Sequence, residues 1–557
     1  MTVDPVTLEV LRHAATAVCE EMNATLVRTG YSPNIKERRD CSCALFDADG
    51  QLVAQAESMP VHLGAMPFSV EAALEAVSPE TLEPGQSIVL NDPFAGGAHL
   101  PDITLVTPVM HDGEPVAYAA NRAHHADVGG ARAGSVAADT TEIYQEGVRI
   151  PPVPLTDHVR ELLLANVRTP AERAGDLRAQ ESANDVGRRR TIEVLERHGQ
   201  PTFTDGLEAI QTYAERRMCA ALAELPDGEA TFEDALEDDG AGNRDLQIRA
   251  RVTVEGESIE VDFAGTASQT TGPVNAVRAV TASATYYAIR AVTDPSIPPC
   301  AGCYRPIEIV TPGGSLVDPD PPAAVVAGNL EASQRITDVV LGALAELVPT
   351  RSVAAGQGTM NNLTVGGQDP RSDTPFAFYE TQAGGFGAHA DGDGMDAVHV
   401  HMSNTRNTPV EVLETAYPLR VRRYELRPDS GGPGTHRGGH GLRRDIEVRA
   451  DGATVSVLAE RHRSGPYGLE GGRPGATGGV VRYPDPAAAA ADEDGEPLPS
   501  KTVVTVPAGT VISLRTPGGG GFGDPTDRNP EAVRADVRAG TVSPTAARDV
   551  YEMDIDP

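Results

Sequence analysis

The sequence predicts an α+β protein, with a multilobed mixed α/β body followed by a β-rich, glycine-rich C-terminal module. Apolar residues recur at three- and four-residue spacing in several segments, which is typical of amphipathic helices. Between these segments lie short alternating runs around Asp-Gly or Glu-Gly pairs, which are typical of hairpins. From Tyr424 onward, glycines and strand-like pairs become dense, and this favours a C-terminal module built mainly of strands.

The N-terminal α+β region is predicted at residues 1–154. It begins with a helix from Val6 to Arg28, whose apolar positions fall on one stripe. The stripe consists of Leu11, Ala15, Val18, Met22 and Leu26, and the polar side consists of Arg12, His13, Glu20 and Glu21. A hairpin follows, because Cys43 to Phe46 and Leu52 to Gln55 flank the turn pair Asp49-Gly50.

Three further regions are predicted. Residues 155–225 form a helical segment. Residues 226–423 form a central α/β region, with strands around Glu255-Gly256 and helices at Ala276 to Ala291 and Ser333 to Leu347. Residues 424–557 form the β-rich module and tail. Within them, the alanine- and acid-rich stretch 483–500 is predicted as an exposed loop, and the glycine run 518–521 as a tight turn.

The balance of charge limits the classes of function. The 557-residue chain has 46 basic and 80 acidic residues, a formal net charge of −34, and Lys36 and Lys501 are its only lysines. This argues against nucleic acid and anionic membranes as partners, because both attract clustered Lys and Arg. The sequence has no apolar run of membrane-span length and no signal-peptide pattern, so we expect a cytoplasmic location. Six cysteines in so long a chain do not predict a disulfide framework.

Acidic residues spread along the whole chain, with almost no lysine, are typical of a surface adapted to high salt. We therefore expect a halophilic source. Dilution of salt removes the screening of carboxylate repulsion, so the melting temperature should fall between molar salt and dilute buffer. Thermal melts over a salt series test this prediction. A melting temperature that stays level or rises on dilution would contradict it.

The segment from Asn91 to Asp127 is the most informative part of the chain. Asp112-Gly113 lies between two apolar runs, which predicts a tight hairpin turn. With these two residues as the turn, Asp102 should face Ala123 on the next strand. The open end of the hairpin then carries an unusual density of ligand-type side chains.

Three of these side chains, His99, Asp102 and His124, gather at the open end. Two imidazoles and a carboxylate suit a divalent metal with coordination positions left open, as in catalytic sites. In the alternative interpretation, His99 is a loop residue beside two glycines and Asp102 is a turn residue. We favour the metal site. His125 and Asp127 are then the nearest candidates for a catalytic base, although His125 should point to the other face of the strand.

Further polar residues are candidates for substrate binding. His389 lies near Asp391 and Asp393, and His399 and His401 would share a face if they lie on a strand. A turn with packed histidines explains the same residues equally well. Arg38 could clamp a carboxylate or form an ion pair with Asp40. His62 could face the metal site or cap a buried turn.

Many motifs occur in a fixed order from Asp4 to Tyr551. They include Glu21-Met22, Arg28-Thr-Gly-Tyr-Ser, Ile35-Lys-Glu-Arg-Arg-Asp-Cys-Ser, Val61-His-Leu-Gly, Asn91 to Asp102, His124-His-Ala-Asp-Val-Gly-Gly, Gly328-Asn-Leu-Glu-Ala-Ser-Gln-Arg, Gly356-Gln-Gly-Thr-Met-Asn-Asn, Tyr379-Glu-Thr, Gly384-Gly-Phe-Gly-Ala, Asn404 to Glu414, Ser430-Gly-Gly-Pro-Gly and Thr516-Pro-Gly-Gly-Gly-Gly-Phe-Gly-Asp-Pro. By these motifs the chain resembles the hydantoinase B/oxoprolinase family. That family includes the B-type component of N-methylhydantoinase, the second half of ATP-dependent 5-oxoprolinase and the large subunits of acetone carboxylase-type enzymes.

The resemblance implies a metal and a partner. In the carboxylase branch, the large subunit is understood to hold a divalent metal through a His, an Asp three residues later and a His on the next strand. The matching positions here are His99, Asp102 and His124, and Mn, Zn and Fe are not distinguished. Family members work beside an A-type subunit that binds ATP and phosphorylates the substrate, so a hetero-oligomer is expected. This chain has no Gly-x-x-x-x-Gly-Lys-Ser/Thr loop of its own.

The function that the resemblance implies is the ATP-dependent opening of a small cyclic amide such as a hydantoin or 5-oxoproline. One alternative is the large subunit of an ATP-dependent ketone carboxylase. The other is a non-catalytic scaffold subunit, in which the metal triad would have no role. One departure concerns specificity. Many relatives have Asn-Gly before the Arg-Pro pair, whereas this chain has Cys300-Ala-Gly-Cys303-Tyr-Arg305-Pro306, and the role of the two cysteines stays open.

Overall fold

The first helix forms where the spacing of apolar residues predicts it. The structure is a computed structural model that describes residues 3–56 and 58–555. Helix α1 spans Pro5–Thr29 and begins at Asp4, whose side chain accepts hydrogen bonds from the amides of Val6 and Thr7. Pro5 suits the first position because it has no amide hydrogen to satisfy. All five residues of the predicted stripe are buried.

Helices lie throughout the described chain. They are α1 Pro5–Thr29, α2 Pro33–Lys36, α3 Pro60–Leu63, α4 Met66–Ala76, α5 Asp157–Ala165, α6 Pro170–His198, α7 Gln200–Leu222, α8 Arg278–Val292, α9 Ala301–Tyr304, α10 Ser333–Leu347, α11 Val410–Ala416, α12 Pro486–Ala491, α13 Pro530–Ala539 and α14 Pro544–Tyr551. The predicted helical segment and both predicted central helices are confirmed. The two C-terminal helices were not predicted within the β-rich tail.

The strands form four sheets. They are β1 Cys41–Asp47, β2 Leu52–Gln55, β3 Ile88–Leu90, β4 Asp102–His111, β5 Glu114–His124, β6 Val153–Pro154, β7 Gly228–Asp238, β8 Arg244–Glu255, β9 Ser258–Asp262, β10 Ile307–Val310, β11 Asn362–Asp369, β12 Thr374–Glu380, β13 Leu419–Leu426, β14 Leu442–Val448, β15 Ala453–Leu458, β16 Gly479–Tyr483, β17 Glu496–Leu498, β18 Lys501–Val506 and β19 Val511–Arg515. The sheet orders are β2-β1-β5-β4-β3-β6, β10-β9-β8-β7, β12-β11-β15-β18 and β13-β14-β19-β16-β17. The mixed α/β body and the β-rich module are confirmed.

The six-stranded N-terminal sheet positions the candidate site. Helices α1 and α6 pack against it, with α6 in contact with β4 and β5. Met66, Val70 and Ala73 of α4 pack in a separate cluster against apolar residues of the same sheet. Apolar side chains therefore hold the hairpin β4–β5 rigidly within the core.

Helix α10 is buried along nearly its whole length. It contacts α8 and strands β7 and β8, and the five residues Gly328–Ala332 that precede it form a π-helix. A π-helical turn is rare and occurs frequently at functional sites. Here it brings Asn329 to the end of the hairpin β4–β5.

The glycine run of the C-terminal module is buried and extended, so the predicted tight turn at 518–521 is wrong. Backbone amides of Gly519, Gly520 and Gly521 donate to the carbonyls of Gly439, Ala355 and Arg473. An added Cβ at Gly519 would lie 2.1 Å from the Phe386 carbonyl oxygen. Glycine is required because backbone packs directly on backbone. We call the interleaved stretches 384–387, 430–441, 465–475 and 518–523 the glycine core.

The predicted exposed loop at 483–500 is also wrong. Helix α12 spans Pro486–Ala491, and the Asp485 side chain accepts hydrogen bonds from the amides of Ala487 and Ala488. Asp at the N-cap, Pro at the first turn and consecutive alanines are strong helix signals, and they outweigh the low complexity of the stretch. Strand β17 then pairs with β16.

The third sheet spans the predicted boundary between residues 423 and 424, because β11 of the central region pairs with β15 of the C-terminal module. The division into four regions stays a prediction. None of the helices in the described residues is long and apolar enough to cross a bilayer.

Candidate metal centre

The hairpin β4–β5 carries Asp102 and His124, the loop before it carries His99, and the hairpin register is one residue away from the predicted one. Asp112 and Gly113 form the turn with φ values of 50° and 89°, as a two-residue hairpin turn requires. A β-bulge between Val109 and Met110 then shifts the pairing, so Asp102 faces His124 and not Ala123. The bulge inserts one extra residue into one strand. It places Asp102 and His124 directly opposite each other.

The three side chains converge at the open end of this hairpin. One ligand-type atom from each of His99, Asp102 and His124 lies within 4.8 Å of the others, and all three residues are buried. His99 Nε2 lies 3.3 Å from Asp102 Oδ1. The His99 and His124 rings meet edge to face, with their centroids 5.0 Å apart. The predicted convergence of these three residues is therefore present in the fold.

The ligand-type atoms of the triad lack hydrogen bonds, as expected of atoms that bind a metal ion. His99 Nε2, Asp102 Oδ1 and His124 Nε2 are all buried, and none has a hydrogen-bond partner in the described chain. Buried polar atoms are normally hydrogen-bonded, whereas these three have only one another as polar neighbours among the described residues, with His99 Nε2 and Asp102 Oδ1 at ion-pair distance. A divalent ion would satisfy all three, and two imidazoles with one carboxylate suit Zn, Mn or Fe. The donor set leaves coordination positions open.

Outer partners orient the two histidines. His99 Nδ1 lies 3.2 Å from the Val326 carbonyl oxygen; the carbonyl only accepts, so Nδ1 carries the hydrogen and Nε2 is free to bind a metal. Asn34 Nδ2 lies 3.0 Å from His124 Nδ1 and donates to the His124 carbonyl oxygen. Tyr379 stacks on the His124 ring with centroids 4.7 Å apart. Both rings are therefore held in place.

Electrostatics favour an ionised Asp102 and a neutral His124. Burial opposes the charge of Asp102, but His99 and His62 hold the pKa of this carboxyl well below its usual range. Burial, reinforced by His99, lowers the pKa of His124 well below its usual value. A carboxylate and a neutral imidazole are the protonation states that metal binding requires. Burial lowers the pKa of His99, but Asp102 outweighs it and raises that pKa above its usual value, so this ring would have to release its proton to bind a metal.

His62 and Arg38, two predicted substrate-binding residues, lie beside the triad. His62 Nε2 is 3.3 Å from Asp102 Oδ2, so this histidine faces the site. Arg38 is buried, lies 3.8 Å from the Asp40 carboxylate and donates to the carbonyl oxygen of Tyr379. The ion-pair alternative for Arg38 is therefore present. Whether either residue binds substrate stays a prediction.

His399 is joined to the same network through threonines. Its ring contacts the hydroxyls of Ser403 at 2.6 Å and Thr405 at 3.2 Å. Thr405 contacts Thr381, which accepts a hydrogen bond from Arg38. Burial, with Arg38 as the second cause, lowers the pKa of His399 to about 4, so the ring is neutral near pH 7.

His389 and His401 lie apart from His399. The histidines 399 and 401 do not share a strand face, because the chain turns at His401 with φ 46°. His401 is buried against Asp338, with Nε2 to Oδ1 at 3.3 Å. His389 is exposed and its Nδ1 accepts from the Asp391 amide. The structure brings His389 into no contact with the triad, and its assignment to substrate binding stays a prediction.

The two predicted catalytic bases face other partners. His125 Nε2 lies 2.9 Å from the Gln180 side chain, on the opposite side from His124 as expected of a neighbour on a strand. Asp127 accepts hydrogen bonds from the amides of Gly129 and Gly134 and forms an ion pair with Arg168. These contacts are typical of structural residues. The role of His125 and Asp127 as bases stays a prediction that their contacts do not favour.

Sequence reasoning assigned no role to several residues of the site. Asn34, Tyr379 and Asn329 come from three distant segments, and Asn329 Nδ2 lies 3.5 Å from Asp102 Oδ2. Their motifs were visible in the sequence, but no spacing within the chain indicates that they meet. Glu331, two residues after Asn329, accepts hydrogen bonds from the Met360 amide and the Asn362 side chain with one oxygen. Its other oxygen has no partner in the described residues.

Glu331 should make stability depend on pH. Burial raises its pKa from 4.5 to about 8, so the folded state holds a proton that the unfolded state releases above pH 4.5. Its contribution is therefore fully present below pH 4.5 and is lost as the pH rises towards 8, at no more than about 1.4 kcal/mol per pH unit. Glu331→Gln should flatten the decline in denaturant-measured stability between pH 5 and 8. The same change at exposed Glu255 should not, and an unaltered slope in Glu331→Gln would contradict the assignment.

Comparisons with known proteins agree on one family. The family model described as hydantoinase B/oxoprolinase matches residues 4–525. A Pseudomonas protein named as a candidate B-type component of a D-/L-hydantoinase is 34% identical, over 99% of this chain and 95% of that protein. The 5-oxoprolinase 1 of Arabidopsis thaliana is 38% identical over 93% of this chain, which spans only 42% of that relative's length.

Two solved structures have the same fold. The ATP-dependent caprolactamase from Pseudomonas jessenii superposes with a TM-score of 0.90 at 30% identity, over 100% of this chain and 97% of that chain. A nucleotide-free acetone carboxylase structure superposes with a TM-score of 0.89 at 20% identity, over 98% of this chain and 79% of that chain. At that lower identity the likeness concerns the fold alone.

Proposed function

The chain belongs to the hydantoinase B/oxoprolinase family, and from this membership we propose that it is the metal-binding subunit of an ATP-dependent enzyme that opens a small cyclic amide. The family expected from the sequence motifs is thereby confirmed. The observation that carries the proposal is the convergence of three buried ligand-type atoms of His99, Asp102 and His124 that form no hydrogen bond in the described chain. A scaffold subunit would have no need to gather three such atoms in its core.

A divalent ion held by His99, Asp102 and His124 would polarise the amide carbonyl and supply a water that ionises near neutral pH. The residues around the triad create the conditions for this chemistry. Burial excludes bulk water, which strengthens every charge interaction at the site. Tyr379 and Asn34 fix the His124 ring. His62 stands 3.3 Å from Asp102, where it can hold a proton at Nε2 against the carboxylate.

ATP is proposed to act through an A-type partner subunit. Neither lysine of the chain follows a glycine, so no phosphate-binding loop of the Gly-Lys type is present. A cyclic amide is a stabilised electrophile, and phosphorylation of its carbonyl oxygen by the partner would activate the carbonyl carbon towards water. The ring would then open when the C–N bond breaks and nitrogen takes up a proton, and hydrolysis of the remaining acyl phosphate would release inorganic phosphate. We expect a hetero-oligomer in which this chain holds the metal and the partner holds the nucleotide.

The isolated chain should therefore show no ATP turnover. ATP hydrolysis that depends on a cyclic amide should appear only when the A-type subunit is added, as measured by phosphate release. Tight nucleotide binding to the isolated chain by calorimetry would contradict this division of labour.

The decisive experiment combines metal analysis of the purified protein with a substrate panel, assayed with and without the A-type partner. Metal at about one ion per chain and ATP-dependent ring opening of hydantoin, 5-oxoproline or a larger lactam would support the proposal. Consumption of acetone that requires bicarbonate would favour the ketone carboxylase instead. A metal-free protein with full activity beside the partner would favour the scaffold role.

A further inference from the structure

The orientation of the Asn34 side chain decides which nitrogen of His124 carries hydrogen. Asn34 lies on helix α2 and is buried. Its Nδ2 donates to the His124 carbonyl oxygen at 2.7 Å and lies 3.0 Å from His124 Nδ1. An amide nitrogen carries two hydrogens and only donates. It therefore serves both acceptors at once, and His124 Nδ1 is the acceptor of the second hydrogen bond.

Two neighbours fix the Asn34 amide in this orientation independently of each other. On one side, Arg38 donates from Nη1 to Asn34 Oδ1, and a guanidinium can only donate. On the other side, the His124 carbonyl can only accept. If the amide turned over, Nδ2 would face the guanidinium and Oδ1 would face the carbonyl oxygen. Two buried hydrogen bonds would be replaced by two repulsive contacts, so the amide does not turn freely.

The guanidinium that holds Asn34 is itself held in place. Arg38 is buried and also donates to the Tyr379 carbonyl oxygen at 3.0 Å and to the Thr381 hydroxyl at 2.8 Å. Its Nη2 lies 3.8 Å from the Asp40 carboxylate. A planar guanidinium with several acceptors in fixed directions has little freedom to release one of them.

This pattern of hydrogen bonds gives His124 a tautomer that opposes metal binding. A ring whose Nδ1 accepts a hydrogen bond is not an imidazolium, and the hydrogen of the neutral ring then lies on Nε2. Nε2 is the nitrogen of His124 that has no hydrogen bond in the described chain and is therefore left for the metal centre. A ring nitrogen that carries hydrogen has no lone pair to offer to an ion.

His99 shows the opposite arrangement in the same site. Its Nδ1 lies 3.2 Å from the Val326 carbonyl oxygen, which only accepts, so the hydrogen that stays on the ring when an ion binds is already on Nδ1. Histidines that bind metals commonly donate in this way from the nitrogen that faces away from the ion. His99 follows this rule and His124 departs from it.

We propose that Asn34 is a positioning residue that weakens the binding of a metal ion by His124. For His124 to bind an ion through Nε2, this nitrogen must release its hydrogen to water and Nδ1 must take one up, so the net proton count of the ring does not change. The hydrogen bond from Asn34 to Nδ1 is then lost and two hydrogens face each other. The ion should therefore exchange more readily than it would between two supported histidines. The inference rests on the metal centre of the proposed function, because it concerns how tightly that centre holds its ion.

Substitutions of Asn34 distinguish this role by the sign of their effect. Asn34→Asp places an acceptor beside Nδ1 that can still pair with Arg38, and should tighten the binding of Zn²⁺ or Mn²⁺ by about tenfold or more, the size of effect that outer partners have on metal affinity. Asn34→Ala removes the donor without adding an acceptor, and should tighten binding by less. A residue that merely supported the ring would weaken binding when removed. Competition with a chelator on the purified full chain measures the affinities.

A matched control is Asn184→Ala. Asn184 is also a buried asparagine that contacts the hairpin β4–β5, but it donates to the Leu105 carbonyl oxygen and the Thr107 hydroxyl, further along β4 than the triad. The metal affinity of this variant should equal that of the wild type.

Nuclear magnetic resonance tests the tautomer without any change to Asn34. In the metal-free wild-type chain with isotope-labelled histidine nitrogens, the nitrogen shifts distinguish a ring with hydrogen on Nε2 from one with hydrogen on Nδ1. The signals of His124 are identified by their loss in His124→Ala. They should show hydrogen on Nε2, and Asn34→Asp should move it to Nδ1.

Unchanged or weaker metal binding in either Asn34 variant would overturn the inference, as would hydrogen on Nδ1 of His124 in the metal-free wild type. Both results would leave the metal centre of the proposed function standing. If the variants do not fold, the wild-type spectrum alone decides. Failure of both the wild type and Asn34→Asp to bind Zn²⁺, Mn²⁺ or Fe²⁺ would overturn the metal centre itself, and this inference with it.

Discussion

His124→Ala is expected to remove the metal and the activity together. The substitution deletes one of three protein ligands, and metal affinity should fall by more than the roughly 10–100-fold that loss of an outer partner costs. Activity with the partner should fall at least as far. The fold should survive, because a site with open coordination positions contributes less to folding than a closed structural site. Metal content, activity and the thermal melt of one preparation give all three quantities.

Two controls separate ligation from burial. His440→Ala removes another buried imidazole in the C-terminal module, where Nδ1 accepts from the Gly431 amide, and should leave metal content unchanged. His125→Ala should keep the metal while lowering stability, since it leaves the side-chain oxygen of Gln180 without the hydrogen bond from His125. A His124→Ala protein that retains both its metal and its activity would refute the metal centre.

Among the proposed substitutions, Arg444→Met is expected to give the largest loss of unfolding free energy. Arg444 and Glu380 are both fully buried and form an ion pair between the third and fourth sheets. Removal of one partner leaves an uncompensated buried charge, and the free energy of unfolding at pH 7 should fall by about 3–5 kcal/mol. Burial opposes ionisation of Glu380, yet Arg444 holds the pKa of this carboxyl below its usual 4.5. The difference in unfolding free energy between wild type and variant is therefore fully present above pH 4.5. It should shrink as the pH falls below that value.

The matched control is Arg422→Met on the neighbouring strand. Arg422 pairs with Glu447 at 2.6 Å, and the two side chains are 36% and 12% exposed. Solvent reaches the guanidinium and screens the pair, so its contribution should be closer to the roughly 0–1 kcal/mol of surface pairs than to that of a fully buried pair. Urea unfolding of both variants measures the contrast. Equal losses of unfolding free energy in the two variants would mean that burial does not determine how much these ion pairs stabilise the fold.

The sequence predicted local structure well where one signal was dominant. The stripe of α1 and the turn pair Asp112-Gly113 each determine an element through neighbouring residues alone. The register of the hairpin was off by one because a bulge at Val109 and Met110 leaves no clear mark on the pattern of apolar residues. Helix α12 replaces the predicted loop because Asp485 caps it and Pro486 fits its first turn, and these local signals outweigh the low complexity of the stretch.

The sequence predicted only those residues of the candidate site that lie close together along the chain. Asp102 and His124 lie on one hairpin and His99 on the loop that leads into it, so turn chemistry and spacing bring them together. Asn34, Tyr379 and Asn329 come from helix α2, the end of β12 and a π-helix, and tertiary packing alone unites them with the triad.

The glycine core has a consequence for how the chain folds. Its four stretches are separated in sequence, and backbone groups of each stretch form hydrogen bonds with backbone groups of the others. Such non-local contacts stabilise the fold only after distant parts of the chain have come together. The entropy lost in bringing them together slows folding. During synthesis the stretches up to residue 475 have no complete partner until 518–523 has emerged. We therefore expect the C-terminal module to fold late and slowly, and a chain that ends before residue 518 to leave glycine backbone unpaired and prone to aggregate.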